Sequence, residues 1–330
     1  MSEESMKTIT VVVPTYNEEP NILNLYERTN RVFKEHLPEY RCNIQFIDNG
    51  STDNTRALIR SLCERDKTVT AIFNAKNFGF VRSQFYGLTQ AEGDAAVLMC
   101  ADMQDPPEII PQFVKEWENG NKVVAGIKSK SRENPFMYLC RKIFYKLIKQ
   151  ISEIDHIDQF DGFGLYDKTF IKVLKNLKDP LPYLRGIVAE LGFQRKEIKY
   201  TQDKRKGGKS NFHFLSLYDL AMLGITSYSK VVMHLATIIG AIASGASMLV
   251  ALVSLILKLV LWDKYPFGTA ALQVGVFVLG SLQLFFIGFV GEYIVNINTR
   301  VMNHPLVIED ERINFDCLNS DSPETDCVTE

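Results

Sequence analysis

Residues 8–19 read TITVVVPTYNEE, an apolar run that breaks at Pro14 into a polar cluster ending at Glu19. Val, Ile and Thr are restricted at χ1 and pack well on a pleated surface, so the run reads as a strand. The phrase recurs three times along the chain: NIQFI before DNGSTDNT, VTAIF before NAKNFG, and AAVLM before CADMQDPPE. The expected strands are Thr8–Val13, Asn43–Ile47, Val69–Phe73 and Ala95–Met99, with a fifth at Lys122–Gly126. Helical periodicity falls between them, near Ile22–Phe33, Thr52–Glu64, Val81–Ala91 and Pro107–Trp117. Asp53 and the Pro106-Pro107 pair are start signals for two of these helices. Strands alternating with helices predict an α/β fold around a mostly parallel sheet.

Each expected strand ends in a polar, loop-forming cluster. In open parallel sheets ligands bind beyond the carboxyl ends of the strands, so four such loops predict one composite site. The first loop carries no GxGxxG, which argues against a dinucleotide dehydrogenase. The chain has no GxxxxGK[ST] either, which argues against a P-loop NTPase.

The 330 residues leave room for one substantial domain and an appendage. With 37 basic and 39 acidic residues and a net charge of −2, the chain lacks the basic field of a nucleic-acid binder. Cys42, Cys63, Cys100, Cys140, Cys317 and Cys327 are scattered without CxxC spacing, as reduced thiols are. The N-terminal MSEESMKT is acidic and polar and reads as no secretory signal, so the domain is expected in the cytosol.

Two apolar stretches, Val231–Leu261 and Thr269–Val290, are each long enough for the roughly 20 residues of a membrane span. Trp262 and Tyr265 lie between them, where interfacial aromatics belong. Lys199, Lys204, Arg205, Lys206, Lys209 and Lys230 precede the first stretch, whereas Asp263 and Lys264 cancel in the connecting loop. The positive-inside rule then keeps the large domain in the cytoplasm at the inner or plasma membrane. The expected organisation is a catalytic domain over 1–211, interfacial amphipathic helices over 212–230, two spans within 231–297 and a cytosolic acidic tail over 298–330. From Glu309 that tail is expected to be disordered. His156, His213 and His304 have no ligand-like spacing, and Ala241, Ser244, Gly245, Gly275 and Gly280 put small residues where spans pack.

The motifs VVVPTYNEE, IDNGSTDNT, NFG, ADMQDPPE, YLRGIVAELGF, RKGGKS, GITSYS and GEYI stand in one order from Ile9 to about Ile308. Together with the two spans they resemble the family-2 glycosyltransferases of GT-A fold. Within that family they look closest to the polyprenyl-phosphate glycosyltransferases, which include the dolichyl-phosphate mannose synthases and bacterial bactoprenol glucosyltransferases. The resemblance implies a GT-A Rossmann-like sheet with interfacial helices, two C-terminal spans and a homo-oligomer, a tetramer in relatives. Its partners would be a nucleotide-sugar donor, a polyprenyl phosphate lipid and the membrane, with no nucleic acid.

Carried over by position, the resemblance places Pro14, Tyr16, Glu18, Asn77, Gly79 and Asp102 around the nucleotide-sugar, with Asp48 and Asn49 facing the base. Relatives often carry two aspartates at this last pair. Where they show D-x-D-x-Q, this chain has Cys100, Asp102 and Gln104; Asp102 and Gln104 would hold Mg²⁺ or Mn²⁺ on the diphosphate. Within HIDQFDGFGLYDK, Asp158 and Asp161 are both candidates for an acid that orients the acceptor, and Gly164 stands where relatives have Arg. Arg185, Arg205, Lys209 and Ser210 would hold the acceptor phosphate, with Asp102, Asp158, Asp161 and Arg205 as the catalytic set.

The reaction implied is an inverting transfer onto polyprenyl phosphate, with UDP-glucose the first choice of donor. GDP-mannose, UDP-N-acetylhexosamine and modified pentoses stay open. A processive polysaccharide synthase is disfavoured because there is no Q-x-x-R-W. A catalytically inactive membrane scaffold on the same fold is the reading from another class.

Overall fold

The structure, a computed structural model, describes residues 6–130, 157, 159–177, 179–202, 269–302 and 304–315, with single helical positions at 222, 242, 246, 249, 253, 256 and 260. The expected interfacial helices, most of the first expected span and the RKGGKS loop lie outside these residues.

Eight strands form one sheet. In chain order they are β1 (Thr8–Thr15), β2 (Arg41–Asp48), β3 (Val69–Asn74), β4 (Ala95–Leu98), β5 (Val123–Lys130), β6 (Gly164–Asp167), β7 (Arg195–Thr201) and β8 (Glu309–Ile313). Their spatial order is β7-β5-β6-β4-β1-β2-β3-β8. β6 runs antiparallel to its neighbours β4 and β5, and β8 runs antiparallel to β3. The other pairings are parallel. Among the described residues the helices are α1 (Ile22–His36), α2 (Thr55–Arg65), α3 (Phe80–Gln90), α4 (Ile110–Glu118), α5 (Lys168–Asn176), α6 (Leu184–Glu190) and α7 (Thr269–Met302). A short 3₁₀ turn at Pro107–Ile109 leads into α4.

The five expected strands and four expected helices of the first 130 residues all form. The apolar run of β1 is buried along Ile9–Thr15, and β3 is buried throughout, as strands covered on both faces must be. Val11, Val13, Phe46, Phe73 and Val97 pack with Phe113 and Trp117 of α4 on one side of the sheet. Val12, Phe85, Leu98, Tyr166 and Phe170 build the core on the other side. Each fully buried side chain of this size contributes about 1.5–3 kcal/mol of transfer free energy. Phe163 is wedged edge-on against Phe113 at 5.1 Å and Tyr200 at 5.2 Å.

Chain order reverses at β1. The chain steps from β1 to β2 and β3 on one side, then returns to β4 on the other, with Val12 of β1 opposite Leu98 of β4. This is the topological switch point of a doubly wound sheet, and it opens a crevice beyond the carboxyl ends of β1 and β4.

Two expectations change here. The tail is ordered at its start, because Glu309–Ile313 is a strand that closes the sheet on β3. Asp53 does not stand at the cap position of α2, which is Asn54; the Asp53 carboxylate instead accepts the Thr55 N–H at 3.0 Å from one residue outside. Among the described residues no helix is long and apolar enough to cross a membrane. α7 covers the range of the second expected span, although the side chains at 269–274, 277, 278, 281, 284 and 285 lie outside the description.

Candidate active site

The loops after β1, β2 and β3 are laced together by side chain to backbone bonds. Asn17, in the left-handed region at φ 55°, donates its N–H to Ser51 Oγ at 2.9 Å. The Glu18 N–H donates to Thr55 Oγ1 at 3.0 Å, and the Thr52 N–H donates to Asn17 Oδ1 at 2.8 Å. Asn49 uses its whole amide: Nδ2 donates to Asn77 Oδ1 at 2.8 Å, and Oδ1 accepts from Asn74 Nδ2 at 3.2 Å and the Phe78 N–H at 3.0 Å. An aspartate at 49 could accept but not donate, so the amide suits this three-way junction. Gly50 is required here: at φ 79° a Cβ would stand 2.7 Å from the Lys76 carbonyl carbon.

Tyr16 retains accessible surface and Asn77 is exposed, whereas Pro14, Glu18, Asp48 and Asn49 are buried. Asp48 has no exposed surface at all. Its Oδ2 accepts from the Gly50 and Ser51 N–H groups, both at 3.1 Å, and from Arg56 Nε at 2.7 Å. The carboxylate therefore lies beneath the loops and shapes them. Gly79, at φ 90°, opens α3.

Beyond β4 the chain alternates. Cys100, Asp102 and Gln104 keep accessible surface, while Met99, Ala101, Met103 and Asp105 are buried. Met103 lies at φ 61° with its side chain only 1% exposed, an unusual conformation for an unbranched bulky residue. It turns the backbone so that Asp102 accepts the Gln104 N–H at 3.1 Å. Strained backbone held by burial is common at functional loops.

Beside this edge lies a half-buried charged cluster in which sequence reading found Asp161 but missed Lys128 and Tyr200. Lys128, at the end of β5, pairs with Asp161, and Tyr200 of β7 donates to Asp105 at 2.5 Å. Burial, and then the Asp161 charge, push the Asp105 carboxyl well above the usual range. Burial alone would lower the Lys128 ammonium, but Asp161 and Asp105 outweigh it and leave it raised. Burial, then Asp105 and Asp102, raise the Cys100 thiol. The signal available for Lys128 was its place two residues beyond the expected strand Lys122–Gly126; for Tyr200 there was none, because its strand is charged. Arg56, which follows the STDNT motif directly, was also missed.

Asp161 thus joins the Asp102 edge, with Oδ1 buried and no partner for it among the described residues. Arg185 lies in the first turn of α6, close enough for its charge to act on Tyr166. Asp158, Arg205, Lys209 and Ser210 lie outside the described residues. At Gly164 an added Cβ would collide with the Val124 carbonyl oxygen where β6 and β5 pair, so the position leaves no room for a side chain.

The donor set can be tested against a divalent cation. Asp102 and Gln104 offer hard oxygen donors, whereas Cys100 offers only a thiol sulfur. Among the described residues no three His, Cys, Asp or Glu groups converge to cage an ion. The residues fit a cation that brings phosphate and water ligands with it, as Mg²⁺ commonly does.

A family model described as glycosyl transferase family 2 matches residues 10–174. The SfII prophage-derived bactoprenol glucosyl transferase of Shigella flexneri is 34% identical over 301 residues, covering 91% of this chain and 96% of that protein. The bactoprenol glucosyl transferase of Shigella phage SfV is 33% identical, covering 92% and 99%. Among solved structures, the mannosyltransferase PcManGT of Pyrobaculum calidifontis in complex with GDP-Man and Mn²⁺ is 16% identical with a TM-score of 0.45, covering 91% and 88%. With this match over half its length and relatives above 30% identity end to end, the chain belongs to glycosyl transferase family 2 and is a glycosyltransferase.

Proposed function

We propose that the chain transfers glucose from UDP-glucose to a polyprenyl phosphate at the cytoplasmic membrane face, with inversion. The observation that carries this reading is the accessible Cys100-Asp102-Gln104 edge at the switch point, in a chain alike end to end to bactoprenol glucosyl transferases. The donor's nucleotide lies against the loops after β1–β3, with Tyr16 and Asn77 on the accessible wall. Asp102 and Gln104 would hold a divalent cation, which would supply the charge that stabilises the departing nucleoside diphosphate.

The acceptor oxygen attacks the anomeric carbon opposite the nucleotide. A carbon–oxygen bond to the lipid phosphate forms as the bond to the diphosphate breaks, and the electron pair leaves with the diphosphate. A phosphate monoester has a second pKa near 6, so the acceptor is mostly dianionic at neutral pH and needs little help from a base. Asp161, paired with Lys128, is then a group that orients the acceptor or sugar. Arg185, Arg205, Lys209 and Ser210 hold the acceptor phosphate.

The membrane assignment rests on the two apolar stretches, on the relatives, and on topology. β7 ends at Thr201 and β8 begins at Glu309, and both belong to one sheet. Whatever lies between them leaves and returns on the same side, so any crossings come in an even number, as two spans do. Holding the site at the depth of a lipid that stays in the bilayer raises the acceptor's effective concentration.

Membranes containing the full chain, given radiolabelled UDP-glucose and undecaprenyl phosphate, are expected to yield organic-extractable label. EDTA and Asp102→Ala should each abolish it. Wild-type membranes that yield none with any common nucleotide-sugar would sink the proposal.

A further inference from the structure

The geometry points to Arg56 as a positioning residue for the donor pocket, tying it to the strand that follows the C-terminal apolar region. This inference rests on the reading of the loops after β1–β3 as the place where the nucleotide binds.

Three strand ends meet at this one guanidinium. Nε donates to Asp48 Oδ2 at 2.7 Å at the end of β2. One terminal nitrogen donates to the Asn74 carbonyl at the end of β3, at 2.5 Å, and the other reaches Asp310 Oδ2 on β8 at 3.5 Å. The flat face of the group lies 5.4 Å from the centre of the Phe73 ring. A planar fork with five donors suits such a junction, and a lysine's single ammonium does not.

What Arg56 holds is the hub of the pocket. The same Asp48 oxygen that takes its Nε also takes the Gly50 and Ser51 N–H groups, and Ser51 Oγ takes the Asn17 N–H next to Tyr16. The order runs from Arg56 through Asp48 to the loop after β2, and through Ser51 to the loop that carries Tyr16. Asp48 is fully buried and Arg56 is its ion-pair partner, with a quarter of its side chain exposed. Without the guanidinium, a buried carboxylate would keep only its backbone donors, and a buried charge left without its partner destabilises the arrangement that holds it.

β8 brings a second contact of a different kind. Arg60, one turn further along α2, pairs with Glu311 and faces Phe73 at 4.7 Å, yet it does not touch Asp48. It therefore serves as the internal control: it secures the same strand without reaching the pocket.

The test uses the full chain in detergent, with UDP-glucose, GDP-mannose and UDP-N-acetylglucosamine as probes in titration calorimetry. The tightest binder is then carried into transfer assays. Arg56→Ala is expected to weaken donor binding and raise donor KM roughly tenfold, the scale on which losing an orienting partner is felt. kcat at saturating donor should stay within about twofold, and Arg56→Lys should recover only part of the loss. Arg60→Ala should leave donor affinity unchanged. Equal donor affinity in Arg56→Ala and wild type would overturn the inference, as would an equal loss in Arg60→Ala, since the effect would then be general loosening of β8. If Arg56→Ala does not fold, Arg56→Lys carries the test, and an unchanged donor KM in it overturns the inference. A wild-type chain that binds none of the probes would instead remove the donor-pocket reading, and the inference with it.

Discussion

At the scale of single residues, the bonding around Asn49 and the chemistry of Cys100 set the character of the site. Asn49 donates to Asn77 and accepts from Asn74 and Phe78. Asn49→Asp, which restores the commoner residue, sets a carboxylate against the Asn77 amide oxygen and should cost about 1–3 kcal/mol. A thermal melt lowered by several degrees with the fold intact is the expected readout. Cys100 shares the accessible edge with Asp102 and Gln104 but is a protonated thiol. Cys100→Asp should therefore lower the Mg²⁺ concentration needed for half-maximal transfer several-fold, because a hard oxygen donor replaces sulfur. An unchanged Mg²⁺ dependence would show that residue 100 does not face the ion. Asp102→Ala should reduce kcat by about a hundredfold or more, the scale of losing one preorganised charge-stabilising group. The motif residues were legible in the sequence because each stands just after an apolar run. Their bonding was not, since the amide junction at Asn49 and the burial of Asp48 depend on loops that meet only in the fold.

Among the elements, the sequence shows clearly those strands that are buried on both faces. TITVVVPT and VTAIFN are dominated by apolar and β-branched residues, and β1 and β3 form where they are expected. β7 and β8 escaped detection because RKEIKYT and EDERI are charged edge strands, which carry that charge to discourage pairing with other chains. β6 escaped because it has four residues inside a glycine-rich loop. The clasp that β8 makes is electrostatic, so it should respond to acid. Burial raises Glu309, but hydrogen bonds from Arg312 and Tyr86 outweigh this and hold it below its ordinary value. A carboxylate held low in the folded chain stabilises it above the unfolded pKa and loses that contribution as pH falls through the folded value. Amide exchange in β3 and β8, corrected for intrinsic rates, should therefore accelerate as pH drops below about 4.5. Glu309→Gln should flatten that step; an identical pH response in this variant would place the acid sensitivity elsewhere.

For the whole molecule, the two halves of the chain are joined by the sheet, because β8 returns after the apolar region to pair with β3. Composition suggested two dissimilar parts, but it held no sign that the second part sends a strand back into the first. In the proposed membrane arrangement that return puts both ends of the apolar region on one side. In intact cells a membrane-impermeant maleimide should label Asp263→Cys in the loop between the apolar stretches. It should label Lys34→Cys, exposed on α1, only after lysis. Labelling of both in intact cells would exclude a cytoplasmic catalytic domain. The central claim, inverting transfer of a sugar to a lipid phosphate, is tested most directly by the structure of the product. Nuclear magnetic resonance of the lipid formed from UDP-α-glucose should show one phosphate joining the prenol to glucose in the β configuration. An α-linked sugar, a diphosphate bridge, or free glucose as the sole product would contradict it.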